Sequence, residues 1–104
     1  MFDYRGDSAS FKKLCMFLTT AIHLGEPVYA SGDIRGCYDI YAATTRLVLR
    51  VIEGCEIELG LLRETLAEVM LQPDVDVQAW LLRRAFDRIL GEHHEDPDNF
   101  EQVV

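Results

Sequence analysis

The 104-residue chain has the length of one domain rather than two, enough to bury a core without disulfides or a structural metal. With 49% hydrophobic and 27% charged residues it falls among compact globular proteins, away from disordered ones. Its formal charge of -8 gathers at one end, since residues 91–104 hold Glu92, Glu95, Asp96, Asp98 and Glu101 with no Lys or Arg; the remainder carries thirteen acids against ten bases, the wrong sign for the basic stripe that nucleic-acid binding requires.

Ser8 and Ser10 are candidate caps of a first helix, whose apolar residues Phe11, Leu14, Cys15, Leu18 and Ile22 recur at three and four. Gly25 and Pro27 then interrupt it, because proline lacks the N–H a mid-helix position needs and biases Glu26 out of the helical region. The strongest helical pattern runs from Asp33 to about Glu53, with Ile34, Cys37, Tyr41, Thr44, Val48, Val51 and Cys55 on one stripe and Ile40, Leu47 and Ile52 beside it. Asp33 suits its N-cap, and Gly32 precedes it with conformational freedom.

Gly54 marks the next turn. A third helix follows from about Glu56 to Leu71 on the stripe Leu59, Leu62, Leu66 and Val69, with Glu56 and Glu58 at the positive end of its dipole. Gln72-Pro73-Asp74 stops it and caps a fourth, carried by Val75, Ala79, Leu82, Phe86 and Ile89 to Leu90, where Gly91 is placed to end it. No useful period-two run competes with this pattern. The expected fold is therefore an all-α, four-helix bundle-like domain over residues 1–90 with one repeat-like helical hairpin, followed by an acidic, flexible C-terminal tail over 91–104.

The hairpin rests on the stretch LGEPVYASGDIRGCYDIYAAT, residues 24–44. It resembles a single tetratricopeptide-type hairpin, with Leu24-Gly25 and Tyr29 on the first helix, a Gly32-Asp33 turn, and Cys37, Tyr41 and Thr44 as the small, aromatic and small positions of the second. Small residues there let the helices approach while aromatic ones fill the groove. Pro27 departs from the pattern, and no equally good second copy occurs, although VQAWLLRRAF again brings small and aromatic residues together. Gly25, Pro27, Tyr29, Gly32, Asp33, Cys37 and Tyr41 are also similar to the G-x-P-x-Y-x-x-G-D motif, followed by Cys and Tyr, of a family of small helical domains of uncharacterised function; that resemblance implies no activity.

His23, Tyr29, Asp33, Tyr38 and Tyr41 fall near the break between the first two helices, where hydroxyls and a carboxylate are suited to orient a small polar ligand or a peptide backbone. The plainer reading is that the tyrosines are core aromatics and Asp33 a cap. His23 has no Ser or Cys at a diagnostic spacing, Asp33 and Asp39 point differently on their helix, and SGDIRG lacks the glycine spacing and lysine of a phosphate loop, so no catalytic set is recognisable. Arg46 with Arg50, and Arg84 with Arg88, each share a helical face and would hold an anion if the faces converged; the alternative is solvation or pairing with acids such as Asp87. Trp80, with Leu61 and Leu81, widens the apolar arcs beyond a core stripe and marks either an edge of the core or an interface.

Cys15, Cys37 and Cys55 are widely spaced without a C-x-x-C pair and read as buried free thiols. His93 and His94 with Glu95, Asp96 and Asp98 match no metal motif; no metal or other cofactor is expected. No segment reaches the roughly 18 apolar residues of a membrane span or forms a cleavable leader, so a cytoplasmic protein is expected. Three functional readings stand: a non-catalytic helical interaction or regulatory module with a protein partner, in a homodimer; a small-molecule-binding or enzymatic bundle with a Tyr/Asp/Arg-lined pocket; and a purely structural oligomer subunit. An enclosed pocket where Tyr29 and Asp33 converge favours the second, and an open groove favours the first.

Overall fold

A computed structural model describes the backbone of residues 4–94 and the side chains of residues 9–91. Its four helices are α1 (Tyr4–Ala30), α2 (Ile34–Val51), α3 (Glu56–Val69) and α4 (Val75–His94), and no strand occurs among the described residues. Helices α2 and α4 form the centre. Helix α2 packs against α1, α4 and α3, while α4 packs against α2, α3 and α1. No helix among the described residues is long and apolar enough to cross a membrane.

The core is built from the stripes expected of amphipathic helices, with Leu14 and Leu18 of α1, Val48 of α2, Leu62 and Val69 of α3, and Leu82, Phe86 and Ile89 of α4 essentially sealed from solvent. The buried face of α2 is Cys37, Tyr38, Tyr41, Ala42, Thr45 and Val48, wider than the expected stripe and turned from it toward its end. Thr45 rather than Thr44 is fully buried, and Ile52 is buried while Val51 is half exposed. A threonine is tolerated at that depth because its hydroxyl donates to the Tyr41 carbonyl at 2.8 Å, and Thr65 repeats the device on Leu61.

The helix ends differ more. Helix α1 already includes Ser8 and Ser10 and runs through Pro27 to Ala30, with the Ser31 N–H donating to the Pro27 carbonyl at 3.0 Å. Proline removes one hydrogen bond, to the carbonyl of His23, an exposed residue where water can replace it; the last turn gains the packing of Val28 and Tyr29 in exchange. Helix α4 likewise continues past Gly91 to His94, so residues 91–94 of the expected tail are helical. Residues 95–104, including Glu95, Asp96 and Asp98, lie outside the described residues, as do the side chains of His93 and His94.

The expected turns form. Gly32 adopts φ 98°, a left-handed conformation that side chains disfavour, and the Asp33 carboxylate accepts from the Gly36 N–H at 2.9 Å to cap α2. Gly54 makes the α2–α3 turn with φ 98°. At the α3–α4 turn the Asp74 carboxylate accepts from the Asp76 N–H, and the Gln78 amide donates to the Val69 and Gln72 carbonyls at 3.0 Å each, tying the end of α3 to the start of α4.

Candidate functional site

The last turn of α1 and the middle of α4 diverge enough to leave a half-open cleft of about 250 Å³, floored by α2. Helix α2 contributes Cys37 and Tyr41, one turn apart on its buried face. Helix α1 contributes Glu26 and Tyr29, three apart and therefore on one face. Helix α4 supplies Ala79, Trp80 and Arg83 within five residues.

Gly25 explains why the floor lies so close to α1. A Cβ there would stand 2.6 Å from Cε1 of Tyr41, so only a residue without a side chain lets that ring lie against the helix. The Tyr41 ring meets Phe86 edge-on beyond it, with centroids 5.4 Å apart. Burial is the main cause that raises the Tyr41 phenol to about 12; the neighbouring Cys37 adds to the rise and the Arg83 hydrogen bond opposes it. The Cys37 thiol is raised too, again by burial first, with Tyr41 and Arg83 acting the other way, so it sits protonated and poorly nucleophilic at neutral pH.

The rim is a hydrogen-bonded chain. Trp80 Nε1 donates to the Tyr29 hydroxyl at 3.1 Å, and that hydroxyl donates to Asp76 Oδ1 at 2.8 Å. The two rings lie edge to face, 5.9 Å apart at 75°. Trp80 remains 46% exposed, which places the largest aromatic side chain of the protein at the mouth of the cleft. One turn further along α4, Arg83 holds Glu26 at 2.8 Å and Asp87 at 3.0 Å. Burial works against the charge of Arg83, but Asp87, Glu26 and Tyr41 outweigh it and raise its pKa above the ordinary arginine value.

Of the residues singled out in the sequence, Tyr29 and Tyr41 meet in the cleft and Trp80 guards it. His23 is exposed and does not line it, Asp33 is an exposed helix cap, and Tyr38 is buried elsewhere with the Arg35 guanidinium 5.8 Å above its ring. Arg84 and Arg88 line a shallow groove between α3 and α4 with Leu61 and Leu81, whereas the exposed Arg46 and Arg50 of α2 do not join them there. Glu26 and Asp76 are the participants that did not stand out as site residues in the sequence. Arg83 stands one turn from Trp80, which is a usable signal, but its pairing with Glu26 across 57 positions of chain has no local trace.

Cys37 and Cys55 are buried and Cys15 is half-buried. Among the described residues no group of His, Cys, Asp and Glu is arranged to hold a metal ion. Comparison of the chain with protein-family models, with curated proteins and with solved structures gives no match.

Proposed function

We propose that the protein is a non-catalytic recognition module that binds a partner polypeptide through the cleft between the end of α1 and α4. One observation carries this reading: Trp80, Tyr29, Tyr41 and Arg83, the residue types most enriched where interfaces concentrate their binding energy, are gathered in one half-open cleft at the surface. A second depression, lined by Asp76, Val77, Leu81 and Arg84, also borders Trp80, so a partner spanning both would meet the indole from each. The tetratricopeptide-like hairpin of α1 and α2 supplies Tyr29 and Tyr41. Asp33 stays outside the cleft, and the cleft is open, both of which favour partner binding over an enclosed small-molecule site.

Photo-crosslinking tests the proposal. A photoreactive residue replacing Val77, which is 40% exposed beside Trp80, is expected to give a discrete polypeptide adduct in the cells from which the chain comes, and the same residue at the exposed Lys12 is not. An adduct with a second copy of the chain would assign the surface to a homodimer. No adduct from position 77 above the Lys12 background would overturn the reading.

A further inference from the structure

The chemistry of the cleft also selects what enters it, and this inference rests on the recognition reading above. We infer that the cleft takes a cationic side chain, the ammonium of a lysine or the guanidinium of an arginine on the partner. Size comes first. A cavity of about 250 Å³ lies below the ~300–1,000 Å³ of sites that enclose a drug-sized ligand, and it suits one long side chain entering from the mouth.

Charge decides the sign. Glu26 and Arg83 line the cleft as an ion pair, Asp87 holds Arg83 from outside it, and Asp76 accepts from the Tyr29 hydroxyl at the rim, with Arg84 beside Asp76 on the far side of Trp80. Arg83 already holds two of those carboxylates at 2.8 and 3.0 Å, so an incoming carboxylate would have to displace one and would then face the acids it left unpaired. An incoming cation meets the opposite situation. The Glu26 side chain is half exposed and free to turn toward the mouth, while Asp87 continues to pair Arg83.

The walls agree with that sign. An edge-to-face pair leaves the faces of the ring that contributes its edge unstacked by its partner, and ring faces are the negative part of the aromatic quadrupole. The Tyr29 oxygen donates to Asp76 and accepts from Trp80, which leaves it one further lone pair to offer an N–H donor. Rings, a spare acceptor and an arginine already held by two carboxylates converge on a single long cation, whose methylenes would lie along Tyr29 and Trp80.

Trp80 is the chain's single tryptophan, so its intrinsic fluorescence reports on this cleft without a label. The full chain is titrated with three neutral Gly/Ser peptides of equal length that differ only in a central Lys, Arg or Glu, and with butylammonium as a free cation. The Lys or Arg peptide is expected to change Trp80 emission saturably, more tightly than butylammonium, with affinity falling as salt rises. Glu26→Gln, which keeps the shape, is expected to weaken that binding about fivefold, the equivalent of about 1 kcal/mol for one lost charge contact. Binding of the Glu peptide instead, abolished by Arg83→Gln, would overturn the assignment, as would no response to either basic peptide. Circular dichroism confirms that each variant is folded. An adduct from position 77 together with silent basic peptides removes this inference and leaves the recognition module standing, whereas loss of the adduct removes both.

Discussion

Replacing Gly25 by alanine probes the contact that shapes the cleft floor. The added Cβ would lie 2.6 Å from Cε1 and 3.0 Å from Cζ of Tyr41, against the roughly 3.5–4.0 Å at which carbon atoms are in favourable contact, so the ring must retreat by about 1 Å. It has little room. Tyr41 is 3% exposed and lies against Phe86, which is fully buried. Overpacking of this kind costs about 1–3 kcal/mol, here toward the upper end, and the better helix propensity of alanine returns about 1 kcal/mol, for a net destabilisation of about 1–2 kcal/mol. Gly60, inside α3, supplies the control, since a Cβ there meets nothing within 4 Å and Gly60→Ala should stabilise by up to about 1 kcal/mol. Urea unfolding of the two variants should therefore move the midpoint in opposite directions, with Gly25→Ala down by about 1 M. A Gly25→Ala protein as stable as the wild type would refute the close approach of Tyr41 to α1.

Three further outcomes follow from the same structure. Phe86→Ala should cost about 3–5 kcal/mol, because the ring is fully buried at the crossing of α2 and α4, and calorimetry that shows a loss below about 1 kcal/mol would remove it from the core. Tyr41 ionises at about 12 in the folded protein, above its unfolded value of 10.0, so its contribution to stability is complete below pH 10 and is lost as pH rises to about 12. An ultraviolet titration should then show one tyrosine that ionises only at about 12, together with alkaline unfolding; ionisation of Tyr41 at its unfolded value, as judged against Tyr41→Phe, would contradict that burial. Tyr29→Phe removes the hydroxyl between Trp80 and Asp76, and should lower stability by about 1 kcal/mol while changing Trp80 emission; an unchanged spectrum would mean that the chain of hydrogen bonds does not hold the indole.

The helices were legible in the sequence because their apolar residues repeat at helical spacing, and the turns because Gly32-Asp33, Gly54 and Gln72-Pro73-Asp74 carry turn and cap chemistry in the residues themselves. What failed to show was set by partners far along the chain. Pro27 reads as a stop, yet α1 continues through it because the packing of its last turn outweighs one missing hydrogen bond at an exposed carbonyl. Thr44 and Thr45 are adjacent and chemically identical, and which one is buried depends on the angle at which α2 meets its neighbours. The tyrosines and the tryptophan of the cleft stood out as residue types. Their assembly did not, because Glu26 meets Arg83, and Tyr29 meets Asp76, only after α1 docks on α4.

Recognition through the Trp80 cleft is tested most directly by repeating the position-77 crosslink in a Trp80→Ala background, with circular dichroism to confirm the fold. The indole is half exposed at the cleft mouth and fills no sealed core space, so its removal should spare the helices and act on partner binding. A central aromatic anchor is worth about 2 kcal/mol or more, so the partner should bind roughly thirtyfold more weakly and the adduct should nearly disappear. An undiminished adduct from the folded variant would show that the partner is held elsewhere on the bundle.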